Sequence, residues 1–179
     1  MAAERQPLLK TGKFTVVRMA CTAPDGRICQ REIVEHPGAV AILPLVDSSH
    51  VCLVRNFRVT AGCPLLELPA GTREPGEDPA ETARRELAEE TGYRAARIQR
   101  LCHFYVSPGI LTEIVTLFVA SQLTPGTTAL EEDEQIETLV LPWSDAVNMA
   151  LDGTIQDAKT MAGLLYYDRI RGDLRGRTS

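Results

Sequence analysis

The stretch from Asp78 to Gly92 carries signals for both ends of an α-helix, and it constrains the fold more than any other part of the sequence. Asp78 is a good N-cap, Pro79 suits the first helical position, and Glu81 stands three residues after the cap, as in a capping box. Gly92 can end the helix in a left-handed conformation that a β-carbon would oppose. The sequence therefore predicts a helix over Pro79–Thr91.

The side chains of this helix divide into a narrow apolar face and an acidic face. At about 100° per residue, the small and apolar side chains form one stripe, which we expect to pack on a sheet: Ala80, Ala83, Leu87 and Thr91. Glu86 and Glu90 lie beside that stripe, with Glu89 next around the helix. Such like charges repel each other, and a solvated acidic surface is the common interpretation. Arg85 can pair with Glu89, which leaves Glu86 and Glu90 facing the loop before the helix, as ligands of a hard divalent cation would.

The rest of the chain reads as short strands and turns without regular βαβ alternation. A hairpin is predicted from the β-rich stretches 13–22 and 27–35. Further strands are predicted at 39–46, 51–57, 65–68, 97–106, 114–120 and 136–141, and two helices at 145–151, with Ser144 as N-cap, and from 157 to about 170. This mixture predicts an α+β fold with a mixed sheet. We expect a tail and hairpin over 1–37, the main domain over 38–172 and a loose end over 173–179.

Composition and charge limit the class of protein. Hydrophobic residues make up 44% of the 179 residues and charged residues 24%, which is ordinary for a globular domain. No apolar run approaches the roughly 20 residues that cross a bilayer, and the first residues lack a signal-peptide core. The five cysteines indicate neither a disulfide framework nor a zinc site. The net charge of -5 argues against non-specific nucleic-acid binding. We therefore expect a cytoplasmic protein that binds neither membrane nor nucleic acid.

The same helix lies within a longer pattern of fixed spacings. Gly71 is followed by five residues and Glu77, and after seven more the chain reads Arg85-Glu86-Leu87-Ala88-Glu89-Glu90-Thr91-Gly92-Tyr93. This resembles the Nudix box, G-x5-E-x7-R-E-U-x-E-E-x-G-U with U a bulky apolar residue, at every constrained position; Tyr93 stands where an aliphatic residue is usual. The resemblance implies the Nudix fold, an α/β/α sandwich around a mixed sheet, and Mg²⁺-dependent hydrolysis of a nucleoside diphosphate linked to another group.

In that family the box supplies the metal site. The resemblance implies Glu86, Glu89 and Glu90 as side-chain ligands of two or three Mg²⁺ ions, with Mn²⁺ as the alternative metal. The backbone carbonyl of Ala70 would be a further ligand, and Arg85 would orient the carboxylates.

Segments outside the box resemble the ADP-ribose pyrophosphatase branch of the family. They are Arg31 to Val40, Leu66 to Gly71, and Ser107-Pro108-Gly109 with Glu113 four residues later. The resemblance implies that Pro108 and Gly109 border the substrate and that Glu113 contacts the distal ribose, although an exposed edge residue is an equal interpretation of Glu113.

Two arginines match the branch in a segment that is otherwise altered. Arg55-Asn56-Phe57-Arg58-Val59 stands where the branch often has R-Q-Y-R-P, so both arginines are kept and the proline is not. Arg58 is the candidate to hold the pyrophosphate, because guanidinium groups bind phosphate oxygens in bidentate fashion. Arg55 is assigned to the substrate site with it; a plain surface arginine is the other interpretation of Arg58.

The acidic segment 130–137 is the last piece of the predicted site. In this branch a loop here supplies a glutamate that activates water or adds a metal ligand, and alignment on Ile136 favours Glu134, with Glu132 second. The expected reaction converts ADP-ribose to AMP and ribose 5-phosphate. Other nucleoside diphosphate sugars, NADH, a flavin dinucleotide and a non-catalytic nucleotide-sensing module stay as alternatives. The resemblance also implies a homodimer in which the N-terminal hairpin reaches the partner's pocket.

Overall fold

The structure is a computed structural model that describes residues 5–130 and 135–176, with side chains as far as Arg171. The strands are β1 (Arg5–Lys10), β2 (Thr15–Thr22), β3 (Ile28–Glu35), β4 (Ala39–Pro44), β5 (His50–Arg58), β6 (Cys63–Glu67), β7 (Ala70–Thr72), β8 (Arg94–Tyr105), β9 (Ile114–Thr124) and β10 (Ile136–Pro142). The helices are α1 (Pro79–Thr91), α2 (Trp143–Leu151) and α3 (Ala158–Gly176).

These strands form three sheets. One is an antiparallel N-terminal sheet in the order β1-β2-β3, and a second has the order β10-β5-β6. The third, β7-β4-β9-β8, is mixed, because β4 runs parallel to β9 while the other pairs are antiparallel. The predicted α+β class with a mixed sheet and a small N-terminal sheet is confirmed. The N-terminal sheet has one strand more than the predicted hairpin.

The mixed sheet separates two cores because residues of β4 alternate between its faces. Val40 and Ile42 pack against the apolar stripe of α1. Ala41 and Leu43 point to the opposite face, into the larger core that α2 and α3 cover. Helices therefore lie on both sides of the sheet, as the predicted sandwich requires, and the polar face of α1 is turned towards β7.

The ends of α1 are set by the residues that predicted them. The Asp78 carboxylate accepts a hydrogen bond from the N–H of Ala80 at 2.8 Å. Gly92 has a φ of 75° and its N–H donates to the carbonyl of Ala88. A β-carbon at Gly92 would also lie 2.7 Å from the carbonyl oxygen of Gly126. The start of α2 differs from the prediction: it begins at Trp143 after Pro142, without a side-chain cap, so Ser144 as N-cap was wrong.

The N-terminal sheet is joined to the segment that follows β8. The N–H of Val34 donates to the carbonyl of Ile110 at 2.8 Å, and the N–H of Thr112 donates to the carbonyl of Val34 at 2.9 Å. Among the described residues, no helix combines the length and the apolar character needed to cross a bilayer.

Candidate active site

A groove of about 460 Å³ runs along the polar side of α1. Its walls bring together residues that are far apart in sequence, from β5, β7, α1 and the loop between β7 and α1. Six residues of the predicted site line it: Arg58, Ala70, Arg85, Glu86, Glu89 and Glu90. The structure therefore brings these six residues to one continuous surface.

Arg85 is the centre of the acidic side of this groove. Its Nη1 donates to Glu86 Oε1 at 2.8 Å and to Glu89 Oε2 at 3.0 Å. Its Nε and Nη2 face the two carboxylate oxygens of Glu77, each at 3.3 Å. The predicted pair of Arg85 with Glu89 is confirmed, but Arg85 binds Glu86 as well, which sequence reasoning had placed away from it.

These contacts shift the pKa values of the groups involved. The hydrogen bonds from Arg85 hold the pKa of Glu77 below its usual value. The hydrogen bonds to Glu77, together with the charge of Glu86 and the hydrogen bonds to Glu86 and Glu89, raise the pKa of Arg85 despite its partial burial. All the carboxylates around Arg85 are thus held close to one positive charge. We call Glu77, Arg85, Glu86, Glu89 and Glu90 the acidic cluster.

Glu90 is the most buried carboxylate of the acidic cluster. This residue is only 5% exposed, and its Oε2 accepts a hydrogen bond from the N–H of Ala70 at 3.2 Å. The thiol of Cys52 is also buried in this region. Burial, and after it the negative charge of Glu90, raise the pKa of this thiol to about 12. Glu90 is therefore a carboxyl group held in a largely dry environment.

The approach of β7 to α1 depends on a glycine. A β-carbon at Gly71 would lie 1.9 Å from the carboxyl carbon of Glu86, so only glycine leaves space for that side chain. Among the described residues, no three His, Cys, Asp or Glu side chains stand in a preformed cation-binding arrangement. The donor set itself, oxygen atoms alone with one carboxylate almost fully buried, suits a hard divalent cation.

Arg58 enters the groove from β5 and is held by a buried partner. Its Nε and Nη2 donate to the two oxygens of Glu67, both at 2.7 Å. Glu67 is 1% exposed and also pairs with Lys159 of α3, and Lys159 contacts Asp157 at 2.9 Å. We call Arg58, Glu67, Asp157 and Lys159 the Glu67 cluster.

The Glu67 cluster fixes the protonation of its central carboxylate and the orientation of Arg58. Burial by itself raises the pKa of Glu67, but the hydrogen bonds from Arg58, followed by the charge of Lys159, outweigh it and keep the pKa below its ordinary value. Arg58 Nη1 makes no hydrogen bond to any described residue.

Among the described residues, four others of the predicted site do not line the groove. Arg55 pairs with Glu137 at 2.6 Å. Because successive side chains of a strand point to opposite faces, Arg55 points away from the face of β5 on which Asn56 lines the groove. Pro108 and Gly109 line a separate cavity of about 410 Å³ beyond the N-terminal sheet. Glu113 Oε1 lies 3.4 Å from Nδ1 of His36.

The predicted glutamates Glu132 and Glu134 lie outside the described residues. The described chain on both sides reaches the groove. Ala129 lines it and donates its N–H to the carbonyl of Glu89 at 2.9 Å. Ile136 pairs with Asn56, which also lines the groove.

Sequence reasoning missed two carboxylates of this region. Glu67 stands between Leu66 and Leu68 at the end of a strand, and a charged residue in so apolar a stretch is a signal of a buried, paired group. Glu77 is a constrained position of the sequence pattern, yet it was not included in the predicted site. The structure instead makes it a partner of Arg85.

Three comparisons place this chain beside known proteins. The sequence profile of the NUDIX domain matches residues 35–164. The chain is 41% identical over 145 residues to an ADP-ribose pyrophosphatase of Bacillus subtilis, covering 80% of this chain and 78% of that protein. It is 37% identical to a GDP-mannose pyrophosphatase of Cronobacter sakazakii, covering 84% of each. A crystal structure of an ADP compounds hydrolase superposes with a TM-score of 0.81 at 25% identity, covering 95% of this chain and 93% of the other.

Proposed function

This chain belongs to the NUDIX domain family of hydrolases, and on that premise we propose that it hydrolyses the pyrophosphate bond of nucleoside diphosphate sugars, with ADP-ribose as the first substrate to test. The observation that carries this proposal is the groove in which the carboxylates of the acidic cluster face Arg58. A pyrophosphate needs positive charge around its oxygens, and the groove combines the guanidinium of Arg58 with a set of oxygen ligands for cations.

Glu86, Glu89, Glu90 and the carbonyl of Ala70 are the proposed ligands of a divalent cation, with Mg²⁺ as the proposed ion and Mn²⁺ as the alternative. When bound, such a cation neutralises phosphate oxygens and lowers the pKa of a bound water. Proteins of this family are in general dependent on divalent metals. Arg85 keeps the Glu86 and Glu89 carboxylates oriented through the bonds described above.

The chain's own groups have separate tasks in the proposed reaction. Arg58 binds an oxygen of the pyrophosphate through Nη1 and stabilises the charge that develops there. Water attacks one phosphorus, the bond from that phosphorus to the bridging oxygen breaks, and ADP-ribose yields AMP and ribose 5-phosphate. Glu134, or Glu132 in its place, is our proposed base for that water. The position of Ala129 and Ile136 at the groove supports this choice.

A substrate panel tests the proposal. Purified protein is incubated with ADP-ribose, GDP-mannose, NADH and a flavin dinucleotide, with Mg²⁺ or with a chelator, and products are separated by chromatography. We expect AMP and ribose 5-phosphate from ADP-ribose with Mg²⁺, no product with chelator, and recovery when Mg²⁺ is restored. Hydrolysis of none of the four substrates would contradict the proposal and favour a nucleotide-sensing module.

GDP-mannose is the second candidate substrate. The similarity to a GDP-mannose pyrophosphatase over most of both chains favours it. The two substrates share the pyrophosphate that the groove is proposed to bind, and differ in base and sugar. A higher kcat/KM for GDP-mannose than for ADP-ribose would change the substrate and leave the proposed chemistry in place.

We also propose that the protein is a homodimer. Large apolar side chains are exposed just after β5 and in the segment between β8 and β9. Among them are Val59, 85% exposed, and Ile110, 59% exposed. Exposed apolar groups of this kind favour a protein partner. Light scattering after gel filtration measures the mass directly, and a monomer at micromolar concentration would contradict the proposal.

A further inference from the structure

Another cavity, also of about 410 Å³ but different from the one at Pro108 and Gly109, lies beside the groove and is lined by basic side chains. His36 and Arg73 come from the segments before β4 and after β7, and Arg100 and His103 come from β8. We call this the basic cleft. Arg73 lines both the groove and the basic cleft, so the two cavities adjoin.

The two arginines of the basic cleft are not matched by any carboxylate of the described chain. Within the described ranges, neither Arg73 nor Arg100 forms an ion pair with a carboxylate. Arg73 Nη2 donates to the carbonyl of Glu77 at 3.0 Å, while its Nε is buried and has no hydrogen-bond acceptor among the described residues. A buried donor without an acceptor is costly, and a ligand that supplies the acceptor removes that cost.

Both histidines present a donor to the basic cleft. Nδ1 of His103 accepts from Arg100 Nη2 at 2.9 Å, and Nδ1 of His36 accepts from the N–H of Gly38 at 3.2 Å. In the neutral ring the proton then sits on Nε2, and no described residue accepts a hydrogen bond from it. One carboxylate stands near, that of Glu113, 3.4 Å from Nδ1 of His36; it lies on the Nδ1 side of that ring.

We propose that the basic cleft binds a phosphate dianion, as free inorganic phosphate or as the phosphate of a monoester. Two guanidinium groups and two imidazole N–H groups supply donors alone, and guanidinium forks match the oxygens of phosphate. The cleft is distinct from the groove because Arg100 and His103 do not line the groove. The site does not depend on the proposed function, since it needs neither the acidic cluster nor a cation.

Calorimetric titration of the full chain with inorganic phosphate, in the presence of a chelator, tests this. The key variant is Arg100→Gln, and the matched control is Arg97→Gln, which removes the same charge from the same strand but lines a different cavity. We expect wild type and Arg97→Gln to bind equally, and Arg100→Gln to bind about tenfold more weakly, as loss of one charged hydrogen-bond donor implies. His103→Gln is a second test should Arg100→Gln lower the melting temperature.

Competition identifies the source of the phosphate. Displacement of inorganic phosphate by AMP or by ribose 5-phosphate would show that the cleft takes that monoester, and displacement by neither would show that it takes the free ion. No binding by wild type up to about 10 mM phosphate, well above a weak Kd of ~1 mM, would overturn the proposal. Equal affinities of Arg100→Gln and Arg97→Gln would also overturn it, whatever happens to catalysis.

Discussion

The acidic cluster lines the groove and the Glu67 cluster reaches it through Arg58, but the two clusters differ in their balance of charge. In the acidic cluster the single guanidinium of Arg85 pairs with three carboxylates, those of Glu77, Glu86 and Glu89, and Glu90 adds a fourth carboxylate. In the Glu67 cluster the carboxylates of Glu67 and Asp157 meet two cations, Arg58 and Lys159. The second cluster is neutral and its central group is buried, whereas the first has more negative than positive groups and lines the open groove.

This difference separates two uses of ionised side chains. A buried pair must be matched, because an isolated buried charge is strongly destabilising. The Glu67 cluster meets that condition and ties β5, β6 and α3 together. Carboxylates in excess destabilise a fold by repulsion, and they are worth that cost where they bind cations. We therefore expect changes in the acidic cluster to affect activity first and changes in the Glu67 cluster to affect stability first.

The largest effect is expected for Glu90→Gln. The variant keeps an oxygen that can accept from the N–H of Ala70 but removes the buried negative charge, so turnover of ADP-ribose should fall about 10³-fold with little change in melting temperature. The control is Glu81→Gln on the same helix, whose side chain is 69% exposed. Near-normal turnover by Glu90→Gln would break the distinction between the clusters.

The next effect is expected for Glu67→Gln, and it concerns stability. Removing the carboxylate leaves Arg58 and Lys159 without their shared partner, so the free energy of unfolding at pH 7 should fall by about 3 kcal/mol. Urea denaturation measures it. Glu137→Gln, which removes the exposed partner of Arg55, is the control. A loss no larger than the control's would show that the Glu67 cluster is not structural.

The same variant sharpens the comparison through its pH dependence. Because the pKa of Glu67 is lower in the folded than in the unfolded chain, its stabilisation is complete above about pH 4.5 and is lost as the pH falls through the folded value. The stability difference between wild type and Glu67→Gln should therefore shrink below pH 4.5. Denaturation curves that stay equally separated at low pH would contradict the assigned direction of the shift.

Gly71→Ala tests the geometry of the acidic cluster rather than its charge. The added β-carbon would lie 1.9 Å from the carboxyl carbon of Glu86, so that side chain must move. A catalytic group misplaced by about 1 Å costs about 100-fold in rate, and we expect a loss of that order. Gly12→Ala, at the rim of the same groove with nothing within 4 Å of the new carbon, should leave the rate unchanged. Equal rates for the two variants would show that the Glu86 position is not critical.

The smallest effect is expected for Arg55→Gln. Its ion pair with Glu137 is exposed and lies outside both clusters, so stability should change by no more than about 0.5 kcal/mol and turnover should stay close to wild type. Steady-state kinetics and denaturation measure both. A large rise in KM would instead show that Arg55 completes a substrate site, for example one formed with a second copy of the chain.

Local signals explain what could be predicted from sequence. The helix Pro79–Thr91 was predicted to the residue because its start and end depend on Asp78 and Gly92 alone. By contrast, β1 was missed, since its residues are all exposed and show no alternation. It is a strand because it pairs with β2.

The same reasoning applies to the candidate site. The carboxylates of α1 were found because one helix presents them at fixed spacing. The partnership of Glu67 with Arg58 and Lys159 joins three separate elements, and no local pattern contains it. The resemblance placed three further residues with Arg58 in the substrate site: Pro108, Gly109 and Glu113. In the described structure of a single chain, these three residues do not line the groove that Arg58 lines.

The hydroxyl of Thr160 on α3 accepts a hydrogen bond from the buried N–H of Leu68 at 2.7 Å. The last helix thereby anchors the segment that leads into β7, although α3 itself does not border the groove. A chain truncated ahead of this helix would lose that anchor, so the last helix supports the wall of the groove from a distance.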